Sequence, residues 1–341
     1  MEPSTSARPR PTRRRPAAGR RLPARRRLPA RRRLTVLLAL LLAVVLTACT
    51  SSAPEEDPTT PPVEVTGSFG SVPVVTFTPP LPLTESSVQT LIEGDGRELA
   101  EGEPILVTLT AYDGQDGELM EGREIGVART MTLTPEDVGE DLYPVLLGSR
   151  EGSRLLVEQP ISEDGVDRML VLVIDVRYTR ARGEPVEPPD GMPAVALADD
   201  GAPTITVPDG EPPDRLRVAP LVRGDGAQVR PGQDVTIQYT GMAWETGAPY
   251  DSTWATGKVP QTVAIDETFP GLRDGLVDQT VGSQVLLVIP PAQAQGTDTL
   301  VLVVDILAVA GGDEDALVSP TPAPSAEQPA EQPSGEQPSG E

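Results

Sequence analysis

Two stretches of the chain match each other at one constant offset, and this repeat constrains the fold more than any other feature. Gly94-Asp95-Gly96 recurs 130 positions later as Gly224-Asp225-Gly226. The other identities at this offset include Gly102 with Gly232, Thr110 with Thr240, Gly117 with Gly247, Gly152 with Gly282, Pro160 with Pro290 and Asp175 with Asp305. Matches at a fixed spacing over about 80 positions predict two tandem copies of a single domain.

Composition indicates where the two copies begin and end. The chain has 39 prolines and 32 glycines in 341 residues, which is typical of compact domains joined by extended linkers. Within one such linker, Thr204–Val207 has the composition of a short strand. We predict a lipoprotein-type signal peptide over residues 1–48, a Pro/Ser/Thr/Glu-rich tether over 49–67, the first copy over 68–180, an interdomain segment over 181–214, the second copy over 215–310 and a disordered acidic tail over 311–341.

The apolar pattern of each copy is mostly that of β-strands. In the second copy, Val235–Tyr239 alternates apolar and polar residues, which is typical of a strand with one buried face. Val285–Ile289 and Leu300–Leu307 are continuous apolar runs, as expected for strands covered on both faces. A short helix is predicted near Pro270–Asp278, because proline suits the first helical turn. We therefore predict an α+β fold, in which a curved antiparallel sheet of five or six strands packs on one short helix in each copy.

The residue types that the chain lacks exclude whole classes of enzyme. It has no histidine and one cysteine, which excludes histidine-dependent triads, HExxH zinc sites, cysteine zinc clusters and iron–sulfur centres. The formal net charge is −23, although 13 of the 28 basic residues lie within residues 1–33. The remaining body is strongly acidic and would repel nucleic acid. We expect no cofactor, no metal and no nucleic-acid partner.

The basic N-terminus is followed by the features of an export signal. Leu34–Leu46 is an almost unbroken apolar run, too short for a comfortable transmembrane helix. Leu46-Thr47-Ala48-Cys49 resembles the lipobox of bacterial lipoproteins, and this resemblance implies diacylation of the Cys49 thiol. We expect a protein that is lipid-anchored on the extracytoplasmic face of the cell membrane. The alternative is an incidental cysteine beside a signal anchor, and Arg31-Arg32-Arg33-Leu34 is compatible with twin-arginine export.

The second copy carries a series of landmarks that occur in one family in the same order. They are Gly224-Asp225-Gly226, Gly232, Tyr239-Thr240-Gly241, Tyr250-Asp251-Ser252, Phe269-Pro270-Gly271-Leu272, Gly275-Leu276, Val281-Gly282-Ser283, Ile289-Pro290 and Thr299-Leu300-Val301-Leu302. In these blocks, which cover most of residues 215–309, the copy resembles the FKBP-type peptidyl-prolyl cis-trans isomerases. Their reaction rotates an X-Pro bond, so it moves no proton and requires no histidine, metal or nucleotide.

The resemblance implies an isomerase with an apolar cradle around the proline. Together with the lipobox-like sequence, it leads us to expect a membrane-tethered isomerase that assists the folding of exported, proline-containing polypeptides. The residues implied for the cradle are Tyr239, Tyr250, Phe269, Leu272 and Leu302, with Asp251 as the polar member. The aromatic residues support this interpretation, because all five between positions 181 and 341 fall within 31 consecutive residues. An apolar ligand pocket requires such a concentration, although each apolar residue taken alone would suit an ordinary core.

The chain also departs from the family pattern. Gln295 lies in the segment where the family usually has a tyrosine that bonds the ligand, and this segment is short, so we expect a more open cradle and weak or selective catalysis. The first copy departs further. At the positions of Tyr239, Tyr250, Asp251 and Phe269 it has Leu109, Met120, Glu121 and Gly139. We expect the first copy to lack the site, and a non-catalytic protein-binding or chaperone lipoprotein is the alternative function.

Overall fold

The computed structural model describes residues 63–120, 126–163, 165–255 and 257–312, and these residues belong to one compact unit. The predicted signal peptide, Cys49, Glu121 and nearly all of the acidic tail lie outside the described residues. Among the helices described, none is long and apolar enough to cross a membrane.

The secondary structure is almost entirely β. The elements that precede and form the first sheet are β1 (Glu64–Thr66), β2 (Val74–Thr76), β3 (Ser87–Ile92), β4 (Pro104–Asp113), β5 (Ala128–Thr132), α1 (Pro135–Val138), α2 (Tyr143–Leu146), β6 (Arg154–Glu163) and β7 (Val166–Arg177). The elements that follow are β8 (Glu184–Pro185), β9 (Ala194–Leu197), β10 (Pro203–Thr206), β11 (Arg217–Arg223), β12 (Gln233–Ala243), β13 (Pro249–Ser252), β14 (Gln261–Ala264), α3 (Pro270–Leu276), β15 (Gln284–Ile289), a 3₁₀ turn (Pro291–Gln293) and β16 (Leu300–Gly311).

The two large sheets have the same antiparallel strand order. The first sheet runs β3-β6-β7-β4-β5 and the second runs β11-β15-β16-β12, with β14 and β13 both pairing with β12, and β8 at the far edge on β11. Equivalent turns also make equal contacts: Gly94 N donates to Ser153 Oγ at 3.0 Å and Gly224 N to Ser283 Oγ at 3.0 Å. The predicted α+β fold with antiparallel sheets and few helices is confirmed.

The helices differ between the copies. α3 begins at Pro270, as predicted, and ends at Leu276. Gly271 and Gly275 let α3 lie close to β15. A Cβ on Gly271 would stand 2.1 Å from Ile289 Cγ2, and one on Gly275 would stand 2.6 Å from Leu287 Cδ2. The first copy has two single-turn helices instead of one helix. Gly139, with a φ of 88°, ends α1, and a glycine adopts this backbone conformation most readily.

Each sheet is preceded by a small β-hairpin, and three of the four hairpin strands lie in segments that sequence analysis assigned to linkers: β1 in the tether, and β9 and β10 in the interdomain segment. β1 pairs with β2 and β9 pairs with β10, in the same register 130 residues apart. The predicted tether and interdomain segment therefore contain ordered strands, and the repeating unit begins before residue 68. The predicted strand at Thr204–Val207 corresponds to β10. The other three strands, β1, β2 and β9, have three or four residues each, which is too short within Pro-rich sequence to display a clear apolar period.

The hairpins cover the outer faces of the sheets. Val65 and Val75 pack against an outer cluster of the first sheet that includes Val171 and Val173. Val195 and Ile205 pack against the outer cluster of the second sheet, which consists of Ala219, Trp244, Leu286, Val288, Val301 and Val303. A further buried cluster joins the copies through Leu106, Ala128, Leu307 and Ala308.

If the hairpin of β9 and β10 is part of the folded unit, shortening a side chain on its buried face must destabilise the second copy. We expect Ile205→Ala to lower the free energy of unfolding by about 1–2 kcal/mol, because Ile205 is partly buried against the outer cluster. Thr204→Ala is the matched control, since Thr204 is exposed on the same strand. Both tryptophans of the chain lie in the second copy, so urea denaturation followed by tryptophan fluorescence measures the difference. Equal stabilities of the two variants would contradict the assignment.

Candidate functional site

The candidate site lies at one end of the second sheet, where four elements meet. β12 carries Tyr239, β13 carries Tyr250 and Asp251, and β16 carries Leu302. Phe269 is the N-cap residue of α3 and Leu272 lies in its first turn. Leu272 and Leu302 are buried at 6% and 2% exposure and belong to the inner core, against which Tyr239 and Phe269 pack. Four of the six predicted cradle residues therefore lie in this core or pack against it. A fifth, Asp251, is joined to them through its contact with Tyr239.

The polar centre of the site is the Asp251 carboxylate. Tyr239 donates its hydroxyl to Asp251 Oδ2 at 2.7 Å, which directly joins two of the predicted site residues. Lys258 Nζ donates to Oδ1 at 2.5 Å, and the Ser252 amide donates to the same oxygen at 2.8 Å. Three donors therefore fix the orientation of the carboxylate at the rim of an apolar surface.

These contacts separate the pKa values of the two titratable partners. The hydrogen bond from Lys258, followed by that from Tyr239, lowers the pKa of Asp251 to about 2. Burial, reinforced by the bond to Asp251, raises the pKa of the Tyr239 hydroxyl well above its usual value. Near neutral pH the carboxylate is therefore ionised and the phenol is neutral, so this pair provides fixed charge and orientation rather than proton transfer.

Lys258 is the site residue that sequence analysis missed. It lies seven positions after Asp251 and belongs to none of the family landmarks quoted above. One signal was available: Lys258 is the only lysine of the chain. The contact between its side chain and the Asp251 carboxylate makes Lys258 part of the candidate site.

The backbone of β12 holds Tyr239 firmly in place. The Tyr239 amide donates to Thr253 Oγ1 at 2.9 Å, and the Thr253 amide donates back to the Tyr239 carbonyl oxygen at 2.9 Å. Thr253 is 1% exposed. Because the buried Thr253 holds the Tyr239 backbone through one side-chain and one main-chain hydrogen bond, the Tyr239 ring has a fixed base from which its hydroxyl reaches Asp251.

Tyr250 forms the exposed rim of the site. Gly241 lies beneath it, and a Cβ on Gly241 would stand 3.1 Å from Tyr250 Cδ1 and 2.6 Å from Leu302 Cδ2. The absence of a side chain at this position lets Tyr250 lie near Leu302. Tyr250 is 43% exposed, and its hydroxyl donates to Gln295 Oε1 at 3.3 Å. The short segment after the 3₁₀ turn therefore closes one side of the site through a single polar contact.

The first copy does not reproduce this arrangement. Leu109 and Met120 lie partly buried against its inner core, and Gly139 ends α1. Leu109 has no hydroxyl, so no contact equivalent to that between Tyr239 and Asp251 can form there. Glu121, at the position of Asp251, lies outside the described residues. Within the described parts of both copies, no three carboxylate or thiol groups converge closely enough to hold a metal ion.

Comparison with known proteins gives matches to one family. A family model described as FKBP-type peptidyl-prolyl cis-trans isomerase matches residues 226–304. A probable FK506-binding protein of Corynebacterium glutamicum is 32% identical over 114 residues, which are 31% of this chain and 96% of that protein. An FK506-binding protein of Streptomyces anulatus is 31% identical over 119 residues, or 31% of this chain and 96% of that protein. The crystal structure of the three FKBP domains of wheat FKBP73 is 15% identical, covers 66% of this chain and 94% of that chain, and gives a TM-score of 0.26.

Replacing the lysine tests its control over the carboxylate. In Lys258→Met we expect the pKa of Asp251 to rise from about 2 toward the ordinary value of 3.8, because the first cause of the lowered value is gone. Lys258→Arg keeps a cation within reach and should keep the pKa low. Titration of the Asp251 carboxyl ¹³C signal by NMR measures both variants. An unchanged pKa in Lys258→Met would show that Tyr239 and Ser252 alone stabilise the ionised form.

Proposed function

Since the chain belongs to the family of FKBP-type peptidyl-prolyl cis-trans isomerases, we propose that its second copy catalyses the cis-trans isomerisation of peptide bonds that precede proline. The observation that carries the proposal is the contact between Tyr239 and Asp251 at the edge of the apolar surface of Phe269, Leu272 and Leu302. This combination matches what the reaction requires.

The chemistry consists of twisting one amide. The barrier of about 18–20 kcal/mol is the loss of resonance between the amide nitrogen and the carbonyl. Water stabilises the planar, polar amide, so an apolar surface that displaces water favours the twisted form. In this proposal the partly buried Phe269 contacts the proline ring, the buried Leu272 supports Phe269 from the core, and the Asp251 carboxylate provides a fixed field near the rotating carbonyl. Neither Asp251 nor Tyr239 has to change its protonation state.

Gln295 supplies the remaining polar group in our proposal. Its Oε1 accepts the Tyr250 hydroxyl, which leaves the Nε2 atom of the same amide as a donor. We infer that Nε2 donates to a substrate carbonyl next to the proline, so that Tyr250 orients Gln295 instead of bonding the substrate itself. A single amide donor on a short segment binds the peptide less tightly than a closed flap, which is consistent with weak or selective catalysis.

The site of action is the cell envelope in this proposal. The basic N-terminus, the apolar run Leu34–Leu46 and the lipobox-like sequence before Cys49 support export and lipid anchoring. Proline-containing polypeptides that have just crossed the membrane are the substrates that an isomerase anchored there would meet. The protein would thus assist the folding of exported proteins.

Substitutions in the second copy test the activity. We expect Phe269→Ala and Asp251→Ala each to lower kcat/KM of the full chain on a proline tetrapeptide by about 10- to 100-fold, where each factor of ten is about 1.4 kcal/mol of transition-state stabilisation. The first variant exposes the twisted amide to water, and the second removes the fixed carboxylate. Leu109→Ala, at the position of Tyr239 in the first copy, is the control and should keep full activity. Far-UV circular dichroism verifies the fold of each variant.

Two results would contradict this assignment. Full activity in Phe269→Ala together with a loss in Leu109→Ala would place the reaction in the first copy. A wild-type chain without any isomerase activity would favour the alternative, a lipoprotein that binds unfolded clients without catalysis.

A separate variant tests the anchor. We expect Cys49→Ala to move the protein from the membrane fraction to the soluble extracytoplasmic fraction, because the thiol that would carry the acyl chains is absent. Cell fractionation with immunodetection measures the distribution. A variant that remains in the membrane fraction as firmly as the wild type would show that a signal anchor, and not lipidation, holds the protein.

A further inference from the structure

A short connector joins the two copies, and buried carboxylates hold it at both ends. On the side of the first copy, Thr179 donates through its hydroxyl to Glu151 Oε1 at 2.5 Å, and Glu151 is 1% exposed. On the side of the second copy, the Ala181 amide donates to Asp305 Oδ2 at 3.0 Å, and the Arg182 amide donates to the Gly282 carbonyl oxygen at 2.8 Å. Residues 179–182 are therefore fixed to both sheets.

Asp305 occupies an unusual position for a carboxylate. It is 2% exposed and lies on the outer face of β16. Its other oxygen, Oδ1, accepts from Gln284 Nε2 at 2.8 Å. Among the described residues, the hydrogen bonds to Asp305 come from neutral donors, and Arg180 of the connector adds an electrostatic attraction. A buried carboxylate held only by neutral donors is costly.

The first copy contains the matching aspartate with a different partner. Asp175, 130 positions earlier, is also 2% exposed. Arg154 donates to both of its oxygens, from Nε at 2.6 Å and from Nη2 at 2.8 Å. The Gly70 amide donates to Asp175 Oδ2 at 2.7 Å, as Ala181 does to Asp305. The position of Arg154 in the first copy is occupied by Gln284 in the second, so the second copy keeps the aspartate and loses the cation.

A second buried group near Asp305 lacks a partner. Gln238 is paired with Asp305 across β12 and β16, and its Oε1 atom is buried without a hydrogen bond. Paired residues on neighbouring strands point to the same face. An ionised Asp305 has no proton to offer to this acceptor, whereas a protonated carboxyl group has one. Among the groups that face Asp305, β12 contributes Gln238, β15 contributes Gln284, and the connector contributes the charge of Arg180.

We propose that Asp305 is a proton-dependent latch, which holds the connector and with it the first copy against the second sheet more firmly when its carboxyl group is protonated. The protonated form removes a buried charge, keeps a carbonyl oxygen for the Ala181 amide and supplies a donor for Gln238. The latch is separate from the candidate isomerase site, so it does not depend on the proposed function.

The direction of the pH effect follows from linkage. Burial raises the pKa of Asp305 to about 6 in the closed state, whereas release of the connector would expose the group and return its pKa toward 3.8. The closed state therefore binds the proton more tightly, and closure is favoured as the pH falls through 6. Between pH 7.5 and pH 5.0 the closing equilibrium should strengthen by about tenfold.

Hydrogen exchange of the full chain tests the latch without any substitution. We expect the protection of the amide at residue 181, corrected for the intrinsic effect of pH, to decrease about tenfold from pH 5.0 to pH 7.5. The amide of Gly70, bonded to Asp175, is the internal control and should keep constant protection. Constant protection at residue 181, or an equal change at Gly70, would overturn the proposal.

Two variants extend the test. Asp305→Asn imitates the protonated form, and its residue 181 should keep the same protection at both pH values. Gln284→Arg introduces the cation found in the first copy and should remove the pH dependence while the aspartate is present. A tenfold pH effect that persists in Asp305→Asn would show that another group controls the connector.

Discussion

The central strands of each sheet are buried on both faces, and the arrangement of the other elements is determined by the need to cover both faces. β15 is buried at all six positions, and β16 is buried at its first nine. Because side chains alternate between the faces of a strand, a helix on one side cannot satisfy both. α3 covers the inner face, the hairpin of β9 and β10 covers part of the outer face, and the first copy covers the outer face near Leu307.

The candidate site lies where the inner cover begins, and this position explains its mixed chemistry. Phe269 precedes the first turn of α3, so its ring borders the core without being enclosed by the helix. Apolar surface next to solvent is normally avoided outside binding sites. Tyr239 and Lys258 both donate hydrogen bonds to Asp251. The polar groups beside Phe269 are therefore paired with one another and require no further segment of the chain to cover them. An accessible apolar surface beside a fixed charge is the result.

Much of this arrangement could be predicted from the sequence, for identifiable reasons. The long strands were visible because continuous apolar runs and alternation extend over five or more residues, and Pro270 marked the start of α3. β1, β2 and β9 were missed because they have three or four residues, fewer than a period needs, whereas β10 was predicted at Thr204–Val207. Lys258 was missed because its contact with Asp251 depends on the path of the chain after β13. No local sequence pattern encodes that path. Pairings such as Gln238 with Asp305 depend on strand register and become visible only in the sheet.

The two copies have the same strand order but differ in their polar contacts. The first copy has an ion pair on the outer face of its sheet, and the second has a polar pair on the inner face. The first copy keeps the buried ion pair of Arg154 and Asp175 on its outer face and has lost the hydroxyl at Leu109 on its inner face. The second copy keeps the inner pair of Tyr239 and Asp251, and its outer aspartate has lost the cation. Removing one partner of a buried ion pair is strongly destabilising, because the other charge is then left buried without compensation. The first copy therefore has its buried outer aspartate balanced by a cation, whereas the second combines the pair of Tyr239 and Asp251 with an outer aspartate that, among the described residues, accepts only from Gln284 and the Ala181 amide.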